Sequence, residues 1–229
     1  MTDTPQAPAT LDAAERRVLG VLIEKAKTTP DAYPLSLNSL RTGCNQKSNR
    51  FPQVDYDDDR VEQTIESLRE KGAVTVVQGD SRVERYRHRA YEWLGVEKVE
   101  LAVVAELLLR GAQTVGELRG RAARMEPIKS LGELAPVLDE LTEKGLVAYL
   151  TPKGRGAVVS HTYYSDGERE RVLRDLGVTG GGAMPAPPSQ ETKAESHPPS
   201  QSVDELSELR SEVAELRQEV ERLTRLVEG

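Results

Sequence analysis

The residues best suited to chemistry are few and scattered. The chain of 229 residues has three histidines, His88, His161 and His197, and a single cysteine, Cys44. The histidines are far apart in sequence. No His-Glu-x-x-His pair, paired-cysteine metal spacing, phosphate-binding P-loop or Gly-x-Ser-x-Gly elbow is present. Gly180, Gly181 and Gly182 run into Pro and Ser rather than a helix start, so they do not form a phosphate cradle. Cys44 lies at the end of a short helical pattern with no base beside it and reads as a packing residue. The expectation is a chain without catalytic residues, metal or cofactor. One cysteine also excludes an internal disulfide and fits a reducing, cytoplasmic setting.

Basic residues are the alternative source of chemistry, because arginine and lysine neutralise phosphate. Arg82, Arg85, Arg87 and Arg89 surround a predicted hairpin. Arg119, Arg121 and Arg124 follow one another along a helix. Lys153 and Arg155 sit at the tip of a second hairpin. Asn45, Gln46, Lys47, Asn49 and Arg50 form a polar stretch whose amides and bases suit base edges as well as phosphates. The competing reading of the hairpin arginines is a solvated strand face paired with acids such as Glu84. The competing reading of residues 45–50 is an ordinary polar loop.

Two similar units must position these groups. Glu66-Ser67-Leu68-Arg69-Glu70-Lys71-Gly72-Ala73-Val74 is repeated, 73 residues on, as Asp139-Glu140-Leu141-Thr142-Glu143-Lys144-Gly145-Leu146-Val147. Each is an amphipathic helix end, a glycine suited to the left-handed position, and a β-branched strand start. In the first unit, Ala14, Val18, Val21 and Leu22 mark a helix face, Ser36 caps a second helix, and a third runs from about Asp59 to Lys71. A hairpin follows, with strands at residues 74–77 and 83–87. In the second unit, Val99 to Arg110 is helical, and Thr114–Glu117 and Ser130–Glu133 read as capping boxes. Strands are expected at 147–150 and 158–163, then a closing helix near 168–176. Three helices and a hairpin, twice, predict a mostly helical α+β fold of two tandem winged-helix (helix-turn-helix) domains plus a C-terminal coiled-coil helix. The expected limits are 1–10 as a disordered start, 11–92 and 93–178 as the two domains, 179–202 as a linker and 203–228 as a coiled coil.

The start lacks a basic region followed by an apolar stretch and does not read as a signal peptide, and no apolar run is long enough to span a bilayer. Residues 179–202 hold the glycine triplet and five prolines and read as a disordered linker. Beyond it, Leu206, Val213, Val220 and Val227 take heptad position a, and Leu209, Leu216 and Leu223 take d, a core that favours a parallel dimer. Glu205 and Glu212 at g face Arg210 and Arg217 at the partner's e positions only if the strands are parallel. The expected partner is therefore a second copy of the chain. The net charge of -7 belongs mainly to this tail: residues 1–95 and 96–178 each carry -1, and 179–229 carry -5.

Leu22-Ile23-Glu24-Lys25, Thr28 to Asn38, Cys44 to Arg50 and Leu107 to Arg119 resemble the signature stretches of the YceH family, over about residues 10–165. The resemblance implies a bacterial, cytoplasmic tandem winged-helix protein and assigns no catalytic residue. Phe51, where an acidic residue is expected before Pro52, and Val115, where Pro is expected before Gly116, depart from the pattern.

Two functions remain open. One is a DNA-binding regulator that contacts duplex DNA through basic wings. The other is an adaptor whose acidic third helices bind a partner protein. The first third helix begins Asp57-Asp58-Asp59-Arg60 and the second Ser130-Leu131-Gly132-Glu133, neither of which suits insertion into a groove lined with phosphates.

Overall fold

The computed structural model describes residues 10–77 and 83–177. Arg82, the expected linker and all the expected coiled-coil residues lie outside them. The described residues all belong to one compact unit.

The first half begins with α1 (Ala13–Thr28). Asp12 and Glu15 cap it reciprocally, each side chain accepting the other's amide at 2.7 Å. Next come a two-residue strand, β1 (Leu35–Ser36), and α2 (Leu37–Cys44), with Ser36 capping the helix as expected. Then follow α3 (Asp58–Glu70), capped by Asp57, β2 (Val74–Val77) and β3 (Arg85–His88). A short helix, α4 (Ala90–Leu94), closes the half at Gly95. The second half repeats the order. It contains α5 (Lys98–Arg110), β4 (Gln113–Thr114), α6 (Val115–Ala122), α7 (Leu131–Glu143), β5 (Val147–Tyr149) and β6 (Val158–His161). It ends in α8 (Asp166–Asp175). The Thr114–Glu117 box forms in full. At Ser130 only half forms: its hydroxyl accepts the Glu133 amide, while the Glu133 carboxylate turns to the amide of Lys129.

Each half therefore carries a three-stranded antiparallel sheet with the hairpin's second strand in the middle, in the orders β1-β3-β2 and β4-β6-β5. β1 and β4 were not expected, because two residues are too few to show alternation.

The duplication extends to single hydrogen bonds. Gly72 and Gly145 adopt φ of +75° and +70°, where a Cβ would strain the backbone. The amide after each glycine returns to a helix carbonyl, Ala73 to Leu68 and Leu146 to Leu141, both at 2.9 Å. Lys71 pairs with Glu15, and Lys144 pairs with Glu100 at 2.7 Å. These pairs tie each third helix to the first turn of its own first helix. His88 and His161 are both buried, and each Nδ1 accepts the amide two residues on at 3.2 Å.

The halves share one core. α1 and α5 pack against each other, so Val18, Leu19, Leu22, Leu101, Val104 and Leu108 belong to a single buried cluster. Gly20 permits the approach: a Cβ there would sit 3.0 Å from Leu109 Cδ2. Each fully buried Leu or Val contributes about 1.5–3 kcal/mol of transfer free energy, so this shared core favours keeping the halves together.

Candidate nucleic-acid interface

β3 alternates cleanly. Tyr86 and His88 point into the core, while Arg85, Arg87 and Arg89 are exposed. β3 is the central strand, so its outward face is flanked on both sides. Arg87 lies opposite Thr75, and Arg85 lies opposite Val77 on one side and Ser36 on the other. No carboxylate stands in that register. Arg85 donates to the Pro34 carbonyl at 2.9 Å, and Glu84 accepts from the Tyr86 hydroxyl at 3.2 Å. Neither Arg87 nor Arg89 forms an ion pair among the described residues. Arginines held this way on a flat polar surface keep their charge available to an anion.

The second sheet differs. By the offset of 73, Val158 and Ser160 occupy the places of Arg85 and Arg87. Ser160 is fully buried and donates to the Tyr164 hydroxyl at 3.1 Å. Arg169 and Val172 of α8 line a small cavity with Ala148, Leu150 and Thr162. α8 thus lies over the face that its counterpart leaves open.

The other basic candidates are mostly engaged inside the fold. Lys153 pairs with Asp139 at 2.6 Å and lies over the Tyr149 ring, and only Arg155 of that hairpin is exposed without an ion pair among the described residues. Arg119 donates to the Ile128 carbonyl at 3.2 Å, and Arg121 to Gln113 Oε1 at 2.5 Å. Arg124 reaches Glu106 at 3.3 Å and Glu24 at 3.7 Å. These three arginines brace α6 rather than forming a free basic row.

Residues 45–50 turn inward. Asn45 donates to the Tyr56 carbonyl and accepts the Tyr56 amide, both at 2.8 Å. Gln46 accepts from Lys25 at 3.2 Å. Asn49, at φ +54°, donates to Glu106 at 3.0 Å. Arg50 is buried against Glu24 at 2.6 Å. Among the five candidate residues of this stretch, Lys47 alone is exposed, and it forms no ion pair among the described residues. A polar run that reads as a recognition loop is thus largely tied into the first half, with Asn49 crossing to Glu106 of the second.

The electrostatics of these inward-facing groups follow from burial. Burial is the largest influence on Glu24 and opposes ionisation, but the hydrogen bonds and charge of Arg50, with Lys25 and Arg124, outweigh it and lower the pKa. At Glu106 burial wins over Asn49 and the nearby arginines, and the pKa is raised. Glu106 Oε1 has no hydrogen-bond partner among the described residues. Burial, aided by Arg87, pushes His88 down to about 4, and burial, aided by Arg16, pushes His161 down to about 3. Both rings are therefore neutral at pH 7. Burial pushes the Cys44 thiol up to about 12. Among the described residues, no three His, Cys, Asp or Glu side chains are grouped to hold a metal ion, and no helix is long and apolar enough to cross a membrane.

The geometry defines a class: a duplicated α+β protein with one open basic sheet face and one covered one. Residues 11–156 match the sequence profile of a family described as a protein of unknown function, DUF480. A UPF0502 protein of Rhodopirellula baltica is 49% identical over 198 residues, covering 86% of this chain and 83% of its own. One from Pelobacter propionicus is 52% identical over 135 residues, covering 59% and 62%. One from Geotalea uraniireducens is 45% identical over 169 residues, covering 72% and 77%. The chain belongs to this DUF480, or UPF0502, family of bacterial proteins.

Proposed function

We propose that the chain is a YceH-type, non-catalytic cytoplasmic protein of two tandem winged-helix domains that binds nucleic acid through the first sheet and its wing. In this reading it acts as a parallel homodimer joined by the coiled coil at 203–228. The order of three helices and a small antiparallel sheet in each half supports the winged-helix reading. The observation that carries the binding reading is the face of β3, where Arg85 and Arg87 stand exposed with no acid in register. A dimer presents two such faces, so weak contacts add through avidity.

An adaptor reading has one observation in its favour. Asp57, Asp58 and Asp59 are exposed at the start of α3, where a winged helix usually meets DNA, and they suit a basic protein surface better than phosphate.

Duplex DNA binding across a salt series separates the two. If Arg85, Arg87 and Arg89 each neutralise one phosphate, affinity falls about 40-fold between roughly 50 and 200 mM salt; with Arg85→Ala and Arg87→Ala the fall shrinks to about 3.5-fold. Absence of duplex binding at low salt, or an unchanged slope in the double variant, removes the nucleic-acid reading in favour of the adaptor.

A further inference from the structure

The two halves leave a cleft where α1, the loop through Phe51 and Pro52, the end of α5 and α8 converge. Its volume is about 450 Å³, within the range of about 300–1,000 Å³ typical of small-molecule sites. Much of its wall is apolar, from Phe51, Pro52, Val54, Leu108, Val172 and Leu176. Phe51 is 65% exposed and Leu176 38%, two of the few large apolar side chains the described fold leaves in solvent. A single exposed apolar residue is ordinary, but two on one concave surface mark a place that accepts an apolar body.

The charged groups in the same cleft are short of negative partners. Arg16, Arg17, Arg110 and Arg171 line it with only Glu168 and Asp175. Arg16 already pairs with Glu168 at 2.7 Å. Arg17 is 3% exposed, yet among the described residues its guanidinium donates only to the carbonyls of Cys44 and Pro52, at 3.0 and 2.5 Å. Among the described residues, buried Arg110 Nε has no hydrogen-bond partner and Arg110 forms no ion pair. Glu106, one turn earlier on α5, is turned instead to Asn49 and Arg124. Buried cations are costly unless an anion answers them; among the described residues no carboxylate pairs with Arg17, and Arg110 has only the through-space charge of Glu106, which it does not contact as an ion pair.

We propose that this cleft binds a small organic acid with an apolar body, its carboxylate against Arg110 and Arg17 and its body against Phe51, Val54 and Leu108. The site is separate from the basic sheet face, and its ligand is independent of nucleic-acid binding.

The test uses the full chain and two fluorescent probes of the same shape, anilinonaphthalene sulfonate and the uncharged phenylnaphthylamine, with octanoate as competitor. Saturable binding of one sulfonate per chain, displaced by octanoate, is expected. Arg110→Met weakens the sulfonate about tenfold, the loss of one charge-assisted hydrogen bond, and leaves the uncharged probe nearly unchanged. Arg110→Lys retains most of the sulfonate affinity. Phe51→Glu, at an exposed position that does not threaten folding, weakens the sulfonate more than the uncharged probe. Equal affinity for both probes, non-saturating binding, no displacement by octanoate, or indifference to both Arg110→Met and Phe51→Glu with an unchanged far-ultraviolet spectrum overturns the proposal.

Discussion

Arg50→Met removes the cation buried against Glu24 of α1. The side chain of Arg50 is 0% exposed and lies 2.6 Å from Glu24, itself 3% exposed. Arg50 also donates to the second Glu24 oxygen at 3.3 Å and to the Gly43 carbonyl at 3.0 Å. Without it, Glu24 retains only Arg124 at 3.7 Å and Lys25 at 3.9 Å, both longer contacts to more exposed groups. Breaking a buried pair from one side strands the other charge and costs about 3–5 kcal/mol, a large share of the roughly 5–15 kcal/mol that holds a domain folded. Glu24→Gln together with Arg50→Met removes the stranded charge, and the pair is expected to cost about 1–2 kcal/mol. The pH dependence provides a second check. In the native chain the Glu24 pKa is depressed, so its contribution is complete at neutral pH and is lost only as pH falls through that depressed value. In the variant, burial is largely unopposed and the pKa rises. Mild acid then protonates Glu24, relieves the stranded charge, and narrows the gap to the native chain. Urea unfolding of the full chain followed by circular dichroism, with linear extrapolation, measures all of this. A loss below about 1 kcal/mol at neutral pH, or a double variant as unstable as Arg50→Met alone, refutes the reasoning.

Three further outcomes are expected. Cys44 is fully buried with its thiol pushed up to about 12, so an aromatic disulfide reagent should label the native chain only at the rate at which it opens; rapid native labelling contradicts this. His88 has a folded pKa of about 4 against an ordinary 6.5. Its contribution of up to about 3 kcal/mol is present above the ordinary value and lost as pH falls between the two, and His88→Gln should flatten stability over that window. Deleting residues 203–229 should convert a dimer to a monomer in light scattering, and a truncated chain that stays dimeric rejects the coiled coil.

The features legible in the sequence are those decided within a few residues. The helix–glycine–strand junctions at Gly72 and Gly145 lie where the repeat places them, because helix termination, a positive φ and a following strand are local physics. Ser36 and Thr114 cap their helices for the same reason. The alternation of Arg85 and Arg87 with Tyr86 and His88 is likewise local, a period of two that sets the arginines on one face of β3. It did not reveal which sheet's outer face would stay open, since that depends on α8 returning over Ser160 and leaving β3 uncovered. Nor did it reveal that Asn49 and Arg50 face the interior. Their partners, Glu106 and Glu24, lie 57 and 26 residues away, and a polar run has the same composition whether water or a distant carboxylate satisfies it. The cleft shares this origin: Phe51 stands out in the sequence, but Arg17, Arg110 and Leu176 reach it from three different helices or their ends, and only the packing of α1 on α5 brings them together. Charge and shape at a distance come from tertiary contacts, whereas caps, turns and strand faces come from the chain itself.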